Sequence, residues 1–214
     1  MRYIDLDTWP RRKHFAVFNA FDYPHFNVCS TVDVTTFYPA VKMVEVSLTV
    51  ATTYVLAHVA NTIPEFRYRI RDNQVVEHEL VHPSITLLAE DDLFSYCTFT
   101  YTEDFSTFLI HATDRMTWIK EHPTLEDEPG QDDLLFMSSL PWVSFTGLMH
   151  PIHMNPVDSI PRLTWGKVFK EQNLWKMPLS VQAHHGLMDG LHAGRYFEQV
   201  QEVLNEPQWL SNLP

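Results

Sequence analysis

The sequence predicts a two-layer α+β fold, in which helices pack on a mixed or antiparallel β-sheet. Apolar residues recur at helical spacing in three segments, and short runs rich in β-branched and aromatic residues lie between them. The two kinds of segment interleave without a regular βαβ order, which favours α+β over α/β. The fourteen Pro and six Gly are scattered over 214 residues, and the most linker-like piece, residues 121–133, is interpreted as an acidic loop within one domain.

Each predicted element follows from its local pattern. The turn dipeptide Asp72-Asn73 predicts that the strands on either side of it form a hairpin. The first helix is expected to end just before Pro64, because proline does not continue a helix. The predicted strands are residues 15–18, 31–35, 66–70, 74–77, 94–101, 142–145, 165–169 and 179–184. The predicted helices are residues 47–61, 103–121 and 191–204.

The composition argues against several partners and locations. Fifteen basic and 27 acidic side chains give a formal net charge of −12. This charge argues against nucleic acid and against a membrane surface, because both are polyanionic. No segment approaches the ~18 apolar residues of a membrane span, and acidic residues at the N-terminus are unlike a signal peptide. Cys29 and Cys97 form no C-x-x-C pattern, so we expect two free thiols in a cytoplasmic protein.

The segment most informative about chemistry is residues 178–192, PLSVQAHHGLMDGLH. Apolar and polar residues alternate over 179–184, so His185 extends the apolar face at the end of a strand. Gly186 and Gly190 bracket a tight turn, after which the last helix begins. A histidine that leaves a strand at such a turn is well placed to project into a cleft.

The residues alone leave three interpretations of this segment open. His184 and His185 can be structural histidines at a strand end. His185, Asp189 and His192 have the i, i+4, i+7 spacing of metal ligands on one helix face, although glycines interrupt that helix and no fourth ligand is evident. His185 can also be a general base, because imidazole is the side chain best suited to accept a proton at neutral pH.

Motifs along the whole chain resemble those of the chloramphenicol acetyltransferase family. The pattern H-H-x-x-x-D-G-x-H after L-S-V-Q is similar to the family signature, and H-x-x-x-D is shared more loosely with other CoA-dependent acyltransferases. Residues 9–15, WPRRKHF, resemble the family's W-x-R-x-x-H-F, and 138–143, SSLPWV, resemble its S-A-L-P-W segment. Residues 32–35 resemble its early strand. The resemblance implies one acyltransferase domain over residues 1–214.

The resemblance also implies roles for individual residues. His185 is the expected general base, which takes the proton of an acceptor hydroxyl as that hydroxyl attacks the thioester carbonyl of acetyl-CoA. Ser138 is expected to donate to the oxyanion, and Thr164 to bind the tetrahedral intermediate through water. Asp189 is expected to pair with Arg11 and to support the site rather than complete a triad with the base. Acetyl-CoA is then a co-substrate, and no metal or permanent cofactor is implied.

The acceptor pocket departs from the family pattern. Phe18 stands where the antibiotic-resistance enzymes usually have tyrosine, and Phe136 where they often have asparagine. The loop 147–161, which contains His150, differs as well. Chloramphenicol is thus the acceptor that the resemblance gives by default, with another hydroxylated acceptor or another acyl donor as the alternative. Lys167 is the candidate contact to the CoA phosphates.

The resemblance further implies a homotrimer with active sites at the subunit interfaces. His185 is then expected on one subunit and much of the acceptor pocket on its neighbour. An alternative of a different class is a non-catalytic sensor or scaffold with the same fold. The presence of both His185 and Ser138 argues against that alternative.

Overall fold

A seven-stranded mixed β-sheet lies at the centre of the computed structural model, which describes residues 1–89, 92–126 and 130–212. The order of its strands is β2-β10-β8-β7-β5-β6, and β9 also pairs with β10. Strand β7 is parallel to β5 and to β8, and the other pairs are antiparallel. The sheet consists of β2 (His25–Asp33), β5 (His82–Leu88), β6 (Phe94–Thr98), β7 (Leu134–Leu140), β8 (Arg162–Gly166), β9 (Phe169–Glu171) and β10 (Leu174–His184).

A second, three-stranded sheet has the order β1-β4-β3 and is antiparallel. It consists of β1 (Arg2–Tyr3), β3 (Tyr68–Arg71) and β4 (Gln74–Glu77). Asp72 and Asn73 connect β3 to β4 with positive φ angles of 49° and 59°, a conformation that asparagine and aspartate tolerate better than most residues. The predicted hairpin is therefore confirmed.

Helices cover one face of the large sheet. They are α2 (Phe37–Met43), α3 (Leu48–Thr62), α4 (Phe105–Glu121) and α5 (Gly190–Asn205), with short 3₁₀ segments at Pro64–Arg67 and Pro207–Asn212. Helix α1 (Arg12–Phe18) instead packs through Phe15 in a separate small cluster with Val75 and Leu187. Helix α3 is buried nearly all round, since α4, α5 and the sheet all contact it. Asp104 begins α4 by accepting a hydrogen bond from the backbone N–H of Thr107.

The two faces of the sheet have different chemistry. Leu163 of β8 and Val181 and Ala183 of β10 belong to the hydrophobic core on the helix side. On the opposite face the same strands carry polar side chains, among them Thr164 and Gln182, and these are buried too. The loop 147–161 crosses this polar face, which explains why the polar residues are shielded from solvent.

The predicted fold class and the three predicted helices are confirmed, whereas two strand predictions are wrong. Residues 15–18 belong to α1, because Phe15 is buried and Ala16 and Val17 are exposed, which is a helical pattern. Residues 142–145 lie outside any strand: the Val143 N–H donates to the Leu140 carbonyl and closes a turn, residues 143–145 have no regular structure, and Trp142 is 64% exposed.

Three other expectations can be compared with the structure. Residues 127–129 of the predicted loop 121–133 lie outside the described residues. Cys29 is half-buried and Cys97 is buried, and both thiols are free. Among the helices of the described residues, none has the length and apolar character needed to cross a bilayer.

Candidate active site

The turn between β10 and α5 places His185. The backbone N–H of His185 donates to the Pro24 carbonyl at 2.7 Å, and the N–H groups of Leu187 and Met188 return to the His184 carbonyl. These bonds close a compact turn directly after β10, the longest strand of the sheet. The position of His185 is therefore fixed by its backbone on both sides.

Arg11 ties the N-terminal segment to this turn. Its Nε donates to the Gly186 carbonyl at 3.0 Å, one terminal nitrogen donates to the His185 carbonyl at 2.8 Å, and the other pairs with Asp189 at 2.7 Å. The guanidinium side chain is largely buried, at 12% exposure. Because the three acceptors belong to one turn, Arg11 holds the backbone of His185 in place.

Asp189 is the N-cap of α5 as well as the partner of Arg11. Its Oδ1 accepts from the Leu191 N–H at 3.0 Å, and His192 Nδ1 accepts from the Asp189 N–H at 3.1 Å, which completes a capping box. Burial alone would raise the pKa of Asp189, but the hydrogen bond from Arg11, the charges of His192 and Arg11 and the hydrogen bond from the Leu191 N–H together outweigh it, and the pKa falls to about 2. Asp189 is thus charged and engaged with Arg11 rather than with the His185 ring.

The proposed metal ligands point to different partners. His185 Nδ1 lies on the Met188 carbonyl, Asp189 binds Arg11, and His192 Nε2 lies 3.3 Å from Glu65. Within the described part of the chain, no group of three or more His, Cys, Asp or Glu side chains is arranged to hold a metal ion.

The ring of His185 is oriented by one hydrogen bond and two aromatic neighbours. Nδ1 lies 3.1 Å from the Met188 carbonyl oxygen. Phe18 stacks on the imidazole, with centroids 3.9 Å apart and planes within 9°, and Phe26 lies 4.9 Å away on centroids. A carbonyl only accepts, so in the neutral ring Nδ1 carries the hydrogen and Nε2 has a free lone pair.

Aromatic side chains of the N-terminal segment pack against the His185 turn. Trp9 contacts Phe15 and Tyr68 at centroid distances of 5.9 and 5.8 Å, and Phe15 lies in a small core cluster with Leu187. The N-terminal motif thus supplies both the packing, through Trp9 and Phe15, and the hydrogen bonds, through Arg11. That division explains why the motif combines aromatic and cationic residues.

Ser138 and Thr164 lie together on the polar face of the sheet. They are paired residues on the parallel strands β7 and β8, and Thr164 is in turn opposite Ser180 of β10. The Thr86 hydroxyl donates to Ser138 Oγ at 3.2 Å, which leaves the Ser138 hydroxyl hydrogen available to another acceptor. The Thr164 hydroxyl lies against His150.

One chain does not bring Ser138 and His185 to the same point. Ser138 lies two strands from β10, roughly 10 Å to the side at ~4.8 Å per strand. Strand β10 continues four residues beyond Ser180 to His184, a rise of roughly 13 Å at about 3.3 Å per residue. A single substrate carbonyl cannot contact both side chains within one chain.

The remaining candidate residues lie at separate places around these two groups. Phe136, two residues before Ser138 on the same face, lies over the guanidinium of Arg162 with its ring centroid at 5.2 Å. Arg162 also forms an ion pair with Asp158. Lys167 is exposed directly after β8, and its amine has no ion-pair partner among the described residues.

Sequence reasoning missed Gln182 and Arg162 of this face and Asp158 of the loop that crosses it. Gln182 was part of the alternating pattern of residues 179–184, and polar residues of that pattern were expected to face away from the core. A buried polar face looks identical to a solvated one in sequence, because the covering loop comes from elsewhere in the chain. Five histidines in or near residues 147–192 were the available signal.

Comparisons with known proteins agree with the motifs. A family model described as chloramphenicol acetyltransferase matches residues 1–201. A chloramphenicol acetyltransferase of Streptomyces acrimycini is 34% identical over 213 residues, covering 97% of this chain and 96% of that protein. One from Klebsiella sp is 30% identical over 208 residues, covering 96% and 94%.

Solved structures show the same similarity. A chloramphenicol acetyltransferase structure superimposes with a TM-score of 0.84 at 26% identity, covering 95% of this chain and 99% of the other. A dihydrolipoamide acetyltransferase of Azotobacter vinelandii, at 15% identity, covers 92% and 88% with a TM-score of 0.70 and so shares the fold. With a family match over nearly its whole length, the chain belongs to the chloramphenicol acetyltransferase family of CoA-dependent O-acetyltransferases.

Proposed function

We propose that the protein moves the acetyl group of acetyl-CoA to a hydroxyl of a small acceptor, with His185 as general base and chloramphenicol as the acceptor to test first. The observation that carries the base assignment is the contact between His185 Nδ1 and the Met188 carbonyl. Because this contact assigns the ring hydrogen to Nδ1, Nε2 is left as a proton acceptor. The acceptor assignment comes from relatives named chloramphenicol acetyltransferase.

The reaction needs one proton acceptor and one oxyanion donor. His185 Nε2 removes the hydroxyl proton as the acceptor oxygen bonds to the thioester carbonyl carbon. The negative charge that develops on the carbonyl oxygen is stabilised by the hydroxyl of Ser138, a contribution typically worth ~10²–10³ in rate. The intermediate then collapses, the carbon–sulfur bond breaks, and the CoA thiolate leaves and takes up the proton held by His185.

Other residues position these groups. Arg11 and Asp189 hold the His185 turn, and Phe18 fixes the plane of the imidazole. Lys167, exposed and unpaired within the described residues, is the proposed contact to a CoA phosphate. Acetyl-CoA binds as a co-substrate for each turnover.

We infer that a second copy of the chain completes each site. The proposed base and the proposed oxyanion donor are too far apart within one chain to act on one thioester. Val17, Phe21 and Tyr23, on or just after α1 beside His185, are exposed, as is Trp142 just after Ser138. Burying these apolar side chains between subunits supports an oligomer in which His185 of one subunit faces Ser138 of the next, and the family resemblance makes that oligomer a homotrimer.

The experiment that tests the function is a thiol-release assay with acetyl-CoA and chloramphenicol. We expect release of free CoA that depends on the acceptor, and its loss in His185→Ala. His111→Ala, which removes an exposed histidine of α4, is the matched control and should keep the wild-type rate. Chelator should not change the rate. Absence of thiol release across a panel of acyl donors and hydroxylated acceptors would favour the non-catalytic alternative.

A further inference from the structure

The hydroxyl of Thr164 has no open path to a substrate. Thr164 is 1% exposed, and its Oγ1 lies 2.6 Å from Nε2 of His150. Since Thr164 is paired with Ser138 across β8 and β7, the group that covers Thr164 lies beside the proposed oxyanion donor. That group is the imidazole of His150.

A buried glutamine fixes His150 in this position. The backbone N–H of His150 donates to Gln182 Oε1 at 2.7 Å, and Gln182 Nε2 donates to the His150 carbonyl at 3.2 Å. Gln182 is itself 1% exposed on β10. The backbone N–H and C=O of His150 are therefore both hydrogen-bonded to a side chain of the sheet. This fixes the backbone of residue 150 and places its side chain next to Thr164.

The ring of His150 has one engaged and one free nitrogen. Burial lowers its pKa, and the positive charge of Arg162 lowers it further, so both effects favour the neutral ring. Nε2 contacts Thr164, whereas Nδ1 has no hydrogen-bond partner among the residues that the structure describes. The imidazole is only half-buried. A neutral imidazole donates a hydrogen bond from one nitrogen and accepts one at the other. The hydrogen bond between Nε2 and the Thr164 hydroxyl therefore determines whether Nδ1 acts as a donor or as an acceptor.

We propose that His150 is a specificity-determining residue of the acceptor site. Nδ1 hydrogen-bonds a polar group of the acceptor, and Thr164, buried behind the ring, is a positioning residue that acts through His150. The acceptor class that this arrangement selects is a small alcohol with a second hydrogen-bonding group near the reacting hydroxyl. The proposal rests on the proposed function, because it places the acceptor beside Ser138.

The test measures binding of chloramphenicol, a 1,3-diol, by calorimetry without acetyl-CoA, so that it does not depend on turnover. His150→Leu should weaken the affinity about tenfold, the effect of losing one well-placed hydrogen bond. His150→Asn, which keeps a polar atom near the place of Nδ1, should recover part of the loss, and His150→Gln should not. His111→Leu, at an exposed histidine of α4 away from the loop, is the control and should bind normally.

A double-variant comparison separates a positioning role from a structural one. Thr164→Val should weaken binding in the wild-type background but have no further effect in His150→Leu, because its action passes through the ring. In the thiol-release assay, His150→Leu and Thr164→Val should each raise the KM for chloramphenicol and leave the KM for acetyl-CoA unchanged. Thermal unfolding confirms that each variant is folded.

The outcomes distinguish this inference from the proposed function. If the wild-type protein binds chloramphenicol but does not acetylate it, the proposed function is contradicted. The role of His150 is then still tested by the change in chloramphenicol affinity in His150→Leu. Unchanged affinity in His150→Leu, or equal effects of Thr164→Val in both backgrounds, overturns the inference. Wild-type protein that does not bind chloramphenicol overturns the inference together with chloramphenicol as acceptor.

Discussion

His184 and His185 are neighbours in the chain with very different surroundings. His184 is 1% exposed, and its Nδ1 accepts from the Gly186 N–H at 3.1 Å. Its Nε2 has no hydrogen-bond partner among the residues described, and His25 packs edge-on against its ring. Burial, together with the neighbouring His25, lowers the pKa of His184 to about 4. His185, half-buried and stacked on Phe18, has the accessible ring.

The buried His184 should make the protein sensitive to acid. Its pKa is lower in the folded than in the unfolded chain, so between about pH 6.5 and pH 4 the unfolded chain binds more protons. Stability is fully present above pH 6.5 and falls as the pH falls toward 4. At pH 5 we expect His184 alone to cost about 2 kcal/mol relative to pH 7, as measured by urea unfolding.

His184→Asn tests that assignment. The Asn side-chain oxygen can still accept from the Gly186 N–H but does not titrate. The variant should therefore lose less stability than the wild type between pH 7 and pH 5. An identical pH dependence in both proteins would show that other groups cause the acid lability.

Asp189→Asn should weaken both stability and activity. Asparagine can still cap α5, but Arg11 loses its charged partner, which we expect to cost about 1–2 kcal/mol at this partly exposed pair. Since Arg11 also holds the His185 carbonyl, displacement of the turn should lower kcat/KM by about 10–100-fold.

Asp104→Asn is the matched control for that change. Asp104 caps α4 and has no contact with the His185 turn, so its variant should keep the wild-type rate. The assay is thiol release together with thermal unfolding. Wild-type rate and stability in Asp189→Asn would contradict the positioning role of Arg11 and Asp189.

Among the elements, the three long helices were the most predictable from sequence, whereas α2 was not predicted. Apolar spacing and a following proline were enough for α3, and α5 could be placed because Gly190 and Asp189 mark its start. Strands β5 and β7 were not predicted, because their sequences, HPSITLL and LLFMSSL, lack a clear alternation of apolar and polar residues. Residues 15–18 show the opposite error, since four apolar residues fit a strand and one helical turn equally well.

Gly166 is the last residue of β8, at a point where β8, β10 and the turn after β7 approach one another closely. A Cβ at this position would lie 2.6 Å from Pro178 Cγ and 2.7 Å from the Val143 carbonyl oxygen. Gly166→Ala should therefore lower the free energy of unfolding by about 1–3 kcal/mol, because β10 or the turn after β7 must move. Denaturant unfolding measures the effect.

Gly194→Ala gives the contrasting result. Gly194 lies exposed within α5, and a Cβ there would meet no atom within 4 Å. The substitution should raise stability by about 1 kcal/mol, because alanine favours the helix over glycine. Equal effects of the two alanine substitutions would contradict the close packing at Gly166.

At the scale of the whole molecule, the two proposed parts of the site should come from different subunits. Light scattering should give the mass of a trimer. His185→Ala and Ser138→Ala should each be nearly inactive alone. When the two are dissociated, mixed equally and reassembled, random trimers should recover roughly a quarter of the wild-type rate, because one site in four receives both intact residues.

Unmixed variants treated in the same way serve as the control. No recovery in the mixture, with trimers present, would mean that both residues act within one chain.

The motifs around His185 and Ser138 predicted the two groups from sequence. Their separation could not be predicted in the same way, because it depends on strand order, which sequence motifs do not report.

The attachment of the 147–161 loop has a consequence for how this protein can evolve. Gln182 and Thr164 anchor His150 through one set of contacts, while Arg11 and Asp189 hold the proposed base, His185, through another set that shares no residue with the first. Under the proposed function, substitutions in the loop should alter which alcohol is accepted and leave proton transfer intact. Laboratory selection for new acceptors should accumulate changes in this loop and spare the turn around His185.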